Sequence, residues 1–145
     1  MITHSGARTR ALYMWECSDL KRRDGVHQVV EYRLRIVIAV RFYMRFYSQT
    51  SNLMFPWLLW RYIPRVEIRQ IKGNPYCQGR SLIVLTMEDH LNVTLIHELV
   101  HSLGYGSDRN PHNRAFVLKY LEALSWWFGW DIDELKLQAK QWGLI

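Results

Sequence analysis

The most regular apolar pattern in the chain runs from Asn92 to Leu103, where Ile96, Leu99, Val100 and Leu103 share one side of a predicted helix that stops at Gly104. A second helical stripe follows in Phe116, Val117, Tyr120, Leu121, Leu124 and Trp127, with Asn110 as its expected cap and Pro111 as its first residue. Gly129 ends that helix, and Asp131 caps a last one reaching about Trp142. Upstream, Val26, Val30, Val37, Val40, Met44 and Tyr47 recur at helical spacing while Arg33, Arg35, Arg41 and Arg45 fall largely elsewhere, which predicts one long amphipathic helix. The β-branched content of this segment leaves a strand pair as the alternative.

Between these helices the period changes. Val66, Ile68 and Ile71 alternate imperfectly with charged residues, as in a half-buried strand, and Ser81 to Met87 is a short apolar run of strand length. "GNPYCQG" between them has turn chemistry, so the two segments predict a small antiparallel sheet, with Ser81 to Met87 at its edge. "SQTSN" reads as a loop. Pro56 and Pro64 bracket an aromatic stretch that is too interrupted for one helix. Residues 1–25 mix polar and basic positions around a turn at "RRDG" and predict no clear element.

A length of 145 residues suits one domain with one core. Within it, residues 1–60 read as a basic, mostly helical N-terminal part and residues 66–128 as the core of a site. Hydrophobic residues make up 49% of the chain and seven are Trp, which excludes a disordered chain. Trp57, Trp60, Trp126, Trp127 and Trp130 are candidates for core or for interface. Cys17 and Cys77 form no CxxC pair, so neither a disulfide framework nor a cysteine zinc knuckle is indicated, and a reducing interior is expected. No apolar run has signal-peptide or membrane-spanning length, "LMFPWLLW" included, which predicts a soluble cytoplasmic protein. The net charge of +6 is uneven: residues 1–72 carry +8 and residues 73–145 carry −2. The basic half admits DNA or another anionic partner, against the plainer reading of a solvated helix face.

The candidate chemistry lies in "HELVH". On a helix His97 and His101 are about 40° apart and point the same way, so two imidazoles can reach one metal ion. Glu98 sits beside that face, which suits a carboxylate that handles a water rather than binding the metal. With six His in the chain, an accidental HExxH has a probability of about one per cent. A catalytic zinc needs a third protein ligand, and three residues compete: His112 after a loop long enough to double back, Glu122 in the next helix, and Asp108. A metzincin arrangement does not fit, because Ser107 stands where its third histidine falls and no Met follows Met87.

"VTLIHELVHSLGYG" followed by "NPHNRAFVLKYLEAL" resembles the SprT-like metallopeptidases and their small bacterial and phage relatives. There a strand leads to HExxH, and a third His opens the next helix in a PHG-type motif followed by an aromatic residue. Pro111, His112 and Phe116 match that pattern, with Asn113 where the family usually has Gly, and no cysteine-rich zinc ribbon follows. The resemblance covers roughly Val66 to Leu124. It implies an α+β fold with a minimal gluzincin-type, zincin-like core, one Zn2+ per chain held by His97, His101 and His112, and hydrolysis of a peptide or protein substrate with Glu98 as catalytic base on a metal-activated water. For a phage-encoded member the setting is the host cytoplasm. Tyr105 is the candidate transition-state donor, and His90 a candidate cleft residue. Two rival readings stand beside this one: a metal-stabilised structural or phage-associated protein without turnover, and a basic nucleic-acid-binding module built on Arg33, Arg35, Arg41 and Arg45.

Overall fold

Leu82–Thr86 is buried at every position, and a strand covered on both faces belongs in the middle of a sheet. In the computed structural model, which describes residues 4–23, 32–47, 61–86, 89 and 91–145, this strand is β3, flanked by β1 (Arg65–Arg69) and β2 (Tyr76–Gln78) in the order β1-β3-β2. β1 runs parallel to β3, with Val66 opposite Ile83, and β2 runs antiparallel to it, with Cys77 opposite Ile83. The sheet is therefore mixed, not antiparallel, and the expected edge strand is the central one. The turn residues of "GNPYCQG" hide the short strand β2: Gly79, at φ 56°, closes a tight hairpin in which the Ser81 N–H donates to the Gln78 carbonyl at 3.2 Å. With β2 occupying one side of β3, β1 pairs on the other.

Among the described residues five helices surround the sheet, giving the α+β class. α1 (His4–Trp15) continues through a π-helical turn, Glu16–Leu20, into a last α turn, Lys21–Arg23. It buries Leu12, Trp15, Glu16 and Leu20, so the segment without a clear prediction is a core helix. α2 (Tyr32–Phe42) and its π-helical turn Tyr43–Tyr47 coincide with the C-terminal part of the long predicted helix, whose first residues, 26–31, lie outside the described residues. The buried face of α2 is Ile38, Phe42, Tyr43 and Phe46, while Val37 and Met44 of the expected stripe are exposed. Large aromatic rings gain more by burial than Val or Met, and the π turn re-phases the last residues; together these rotate the helix away from the simple 3.6 reading. The same rotation buries Arg35, at 6% exposure. The Arg33 side chain, the "SQTSN" and Pro56 segments, Trp57, Trp60, Met87 and His90 lie outside the described residues.

α3 (Asn92–Ser102) ends as expected, with Leu103 as cap and the Gly104 N–H donating to the His101 carbonyl at 2.9 Å. α4 (Arg114–Phe128) begins three residues later than its sequence suggests. Asn113 is the cap, its side-chain oxygen accepting from the Phe116 N–H at 2.9 Å, and Pro111 and His112 belong to the turn before it. Gly129 ends α4 in the left-handed conformation, and the Asp131 carboxylate caps α5 (Ile132–Gln141) through the N–H groups of Asp133 and Glu134. Phe116, Val117, Tyr120, Leu121 and Leu124 of the predicted stripe are fully buried; Trp126, Trp127 and Trp130 pack half-buried against the core. Among the described residues no helix is long and apolar enough to cross a membrane.

The core position of α1 makes Trp15 and Met14 a contrasting pair. Trp15→Ala should cost about 3–5 kcal/mol in urea unfolding, whereas Met14→Ala, at a position 60% exposed, should leave the midpoint within experimental scatter.

Candidate metal centre

α3 is buried almost all round, and His101 is its one half-buried position. His97 and His101, one turn apart, meet His112, which the loop after Gly104 carries back to the end of α3. Gly106 makes that return feasible. It sits at φ 92°, and a Cβ there would lie 2.2 Å from the Pro111 carbonyl oxygen, so only glycine lets the two strands of the loop approach this closely.

The three imidazoles converge through one nitrogen each. His112 Nε2 lies 3.1 Å from His97 Nε2 and 3.2 Å from His101 Nε2, and the three ligand atoms all fall within 4.8 Å of one another. Nitrogens bound 2.0–2.1 Å from one tetrahedral ion stand about 3.3 Å apart, so this spacing suits a single divalent cation. The three histidines are thus close enough to hold one metal ion. Phe116 backs them all, its ring 4.2 Å from that of His101 in a stack and 5.0 Å from those of His97 and His112.

The opposite ring nitrogens decide which lone pairs face the centre. His97 Nδ1 donates to Glu16 Oε2 at 2.8 Å, and the Tyr120 hydroxyl donates to the same oxygen at 2.6 Å. A proton held on Nδ1 leaves the His97 Nε2 lone pair free. His112 Nδ1 is bonded to the Thr9 hydroxyl at 2.9 Å, and Arg8 Nε donates to the His112 carbonyl at 2.9 Å. Arg8 also donates to the Leu144 carbonyl, tying the third histidine to both α1 and the C-terminal turn. His101 is hydrogen-bonded to the main chain at Tyr105.

Burial and the positive charge favoured on His97 hold His101 down at about 3 and, with His101 adding to the effect, His112 at about 2. Both are neutral donors near neutral pH. Burial opposes charge on His97 too and is the largest single influence, but the charge and hydrogen bond of Glu16 together with the charge of Glu98 outweigh it and the pKa is raised. Glu98 is pushed up to about 7 by burial, with Glu16 and Asp89 adding to the shift against the pull of His97.

His97, Glu98, His101 and His112 line an open cleft of about 580 Å³. Its far wall is the edge strand β2 with Pro75, Tyr76 and Cys77, and α1 adds Tyr13. The Tyr13 ring is 6.2 Å from that of His97 and 5.6 Å from that of His112, and its hydroxyl is pushed up to about 12 by burial and the two glutamates, so it stays a donor. Tyr105 and Asp108 line the cleft without joining the three ligands. Glu122 lies outside it: its carboxylate is 48% exposed and paired with Lys119 at 2.9 Å. His90 lies outside the described residues.

Glu16, Thr9, Arg8 and Tyr13 are the participants absent from the sequence reading. Their only signal was a helical recurrence at Leu12, Trp15 and Leu20, obscured by basic neighbours and by the π turn. Comparison of the chain with protein-family models, with curated proteins and with solved structures gives no match. The chemistry of the site therefore rests on its own geometry.

Two outcomes follow from this shell. Glu16→Gln should weaken divalent-metal binding by about 10–100-fold in a chelator competition, as loss of a carboxylate behind a ligating histidine typically does, while Glu122→Gln leaves it unchanged. The Cys77 thiol is pushed up to about 12 by burial and the Glu98 carboxylate. Its thiolate fraction at pH 8 is then about one in ten thousand, so iodoacetamide should label exposed Cys17 and spare Cys77, with Cys77 labelling rising about tenfold per pH unit.

Proposed function

We propose that the protein is a metal-dependent peptide hydrolase, with a zinc-type ion held by His97, His101 and His112 and with Glu98 as catalytic base. The observation that carries the reading is the conjunction of three imidazole nitrogens within 4.8 Å of one another with a buried glutamate in the same open cleft. An all-imidazole donor set suits zinc, and a bound ion of this kind supplies a Lewis acid that polarises a carbonyl and acidifies a water.

The chain's own residues do the rest. Glu98, buried and pushed up to about 7, is matched to taking a proton from water and handing it to the leaving nitrogen. No hydrogen bond among the described residues engages its carboxylate, so it is available for that exchange. Glu16 holds the His97 tautomer, and Phe116 keeps the three rings from turning. Of the cleft tyrosines, Tyr13 packs against His97 and His112 whereas the Tyr105 ring lies under the Lys119 ammonium at 5.5 Å. We therefore assign to Tyr13 the donation to the developing oxyanion first ascribed to Tyr105. An extended peptide fits along β2, whose outer edge is unpaired among the described residues and borders the cleft.

A purely structural metal has no use for a buried glutamate that lines an open cleft beside it, which favours turnover over the stabilising role. The nucleic-acid reading loses Arg35 to the interior, leaving Arg41 and Arg45 as the exposed arginines of its described set.

Purified protein should hold about one zinc per chain. Glu98→Gln should retain the metal while casein or peptide cleavage falls by about 100-fold or more, and His112→Ala should lose the metal itself. A metal-free wild type overturns the reading; a metallated wild type inert on every peptide favours the structural role.

A further inference from the structure

The cleft does not end at the histidines. A second concavity of about 560 Å³ opens beside it and shares His101, Gly104 and Tyr105 with it. Its other walls are Phe46 and Tyr47 from the π turn of α2, Leu103 after α3, and Gly79 with Arg80 from the β2–β3 hairpin. Among the described residues that line it, Arg80 alone carries a full charge, and its side chain has no ion pair among the described residues. On the opposite side, the space shared by Tyr13, Pro75, His97 and Glu98 narrows to about 60 Å³. There the Lys21 ammonium is already paired with Asp89 at 2.7 Å.

These three spaces follow β2 in order: Asn74 and Pro75 border the narrow one, Tyr76 and Cys77 the metal cleft, and Gly79 and Arg80 the wide one. A strand laid along that edge advances about 3.3 Å per residue and alternates its side chains, so it meets the spaces in turn. We propose that the wide concavity is the specificity subsite of the hydrolase proposed above, on which this inference rests. It takes a large apolar side chain, Phe or Leu in type, from the residue beside the scissile bond of an acidic peptide. The carboxylate of the residue next but one, whose side chain returns to the same side of the strand, pairs with Arg80. The narrow space opposite admits only a small residue on the other side of the bond.

The discriminating experiment uses the zinc-loaded full chain and matched quenched-fluorescent peptides that vary two positions, Phe, Leu or Ala beside the bond and Asp, Asn or Lys two residues further from it. The same sequences are made as peptide hydroxamates, whose binding calorimetry reads without turnover. Phe and Leu should exceed Ala by about tenfold or more in kcat/KM and in hydroxamate affinity. Asp should exceed Lys by about tenfold, with the order reversed in Arg80→Glu at unchanged zinc content. Cleavage or hydroxamate binding that is indifferent to both positions overturns this subsite and leaves the hydrolase intact. If no peptide is cleaved and no hydroxamate binds, the hydrolase reading itself falls and the subsite with it.

Discussion

A carboxylate buried to 2% exposure is expensive to remove from water, and Glu16 is stable there because two donors meet one of its oxygens. His97 belongs to α3, Tyr120 to α4 and Glu16 to α1, so this single oxygen is where three helices are aligned. Their relative positions cannot drift without stranding a charge in the interior. The orientation of the His97 ring toward His101 and His112 is thus set by tertiary packing as much as by the HExxH spacing.

The third histidine is positioned by different means. No periodicity holds His112 in place; it sits in a turn, pinned through its ring by Thr9 and through its carbonyl by Arg8. The helix that follows begins with Asn113, whose side-chain cap takes up the Phe116 N–H. Asn113 therefore has a physical task here. It starts the helix at the point where Phe116 can lie under all three imidazoles. On the other side of α3, the Tyr43 hydroxyl meets Ser102 Oγ at 2.5 Å, and Ser102 in turn donates to the Leu99 carbonyl, which steadies the end of the helix beside the wide concavity.

Local features were legible in the sequence where local forces decide. The Gly104 and Gly129 stops, the Asp131 cap and the apolar stripe of α4 depend on neighbours within one or two turns, and the meeting of His97 and His101 depends only on helical geometry. The Asn110 cap was misplaced because Asn113 offers the same chemistry three residues on and the loop decides between them. Strand pairing is non-local: nothing in Val66, Ile68 or Leu82–Thr86 states which partner lies alongside or in which direction, and a three-residue strand hides inside turn residues. The buried face of α2 was misread because aromatic bulk and a π turn outweighed the valine spacing. Glu16 was invisible for a related reason, since an acidic residue in a mainly basic helix reads as solvated until the helices facing it are known.

The shell around the site also sets an order of assembly. Glu16 and His97 are 81 positions apart, Glu16 and Tyr120 are 104, and Thr9 and His112 are 103, whereas His97 and His112 are separated by only 15. Short loops close at little entropic cost and long ones at more, so the three imidazoles can gather around a cation while α1 is still undocked. At that stage His97 samples both tautomers and the grip is loose. Docking of α1 would then lock the ring through Glu16, so the residence time of an ion bound there would report whether the N-terminal helix has reached its place.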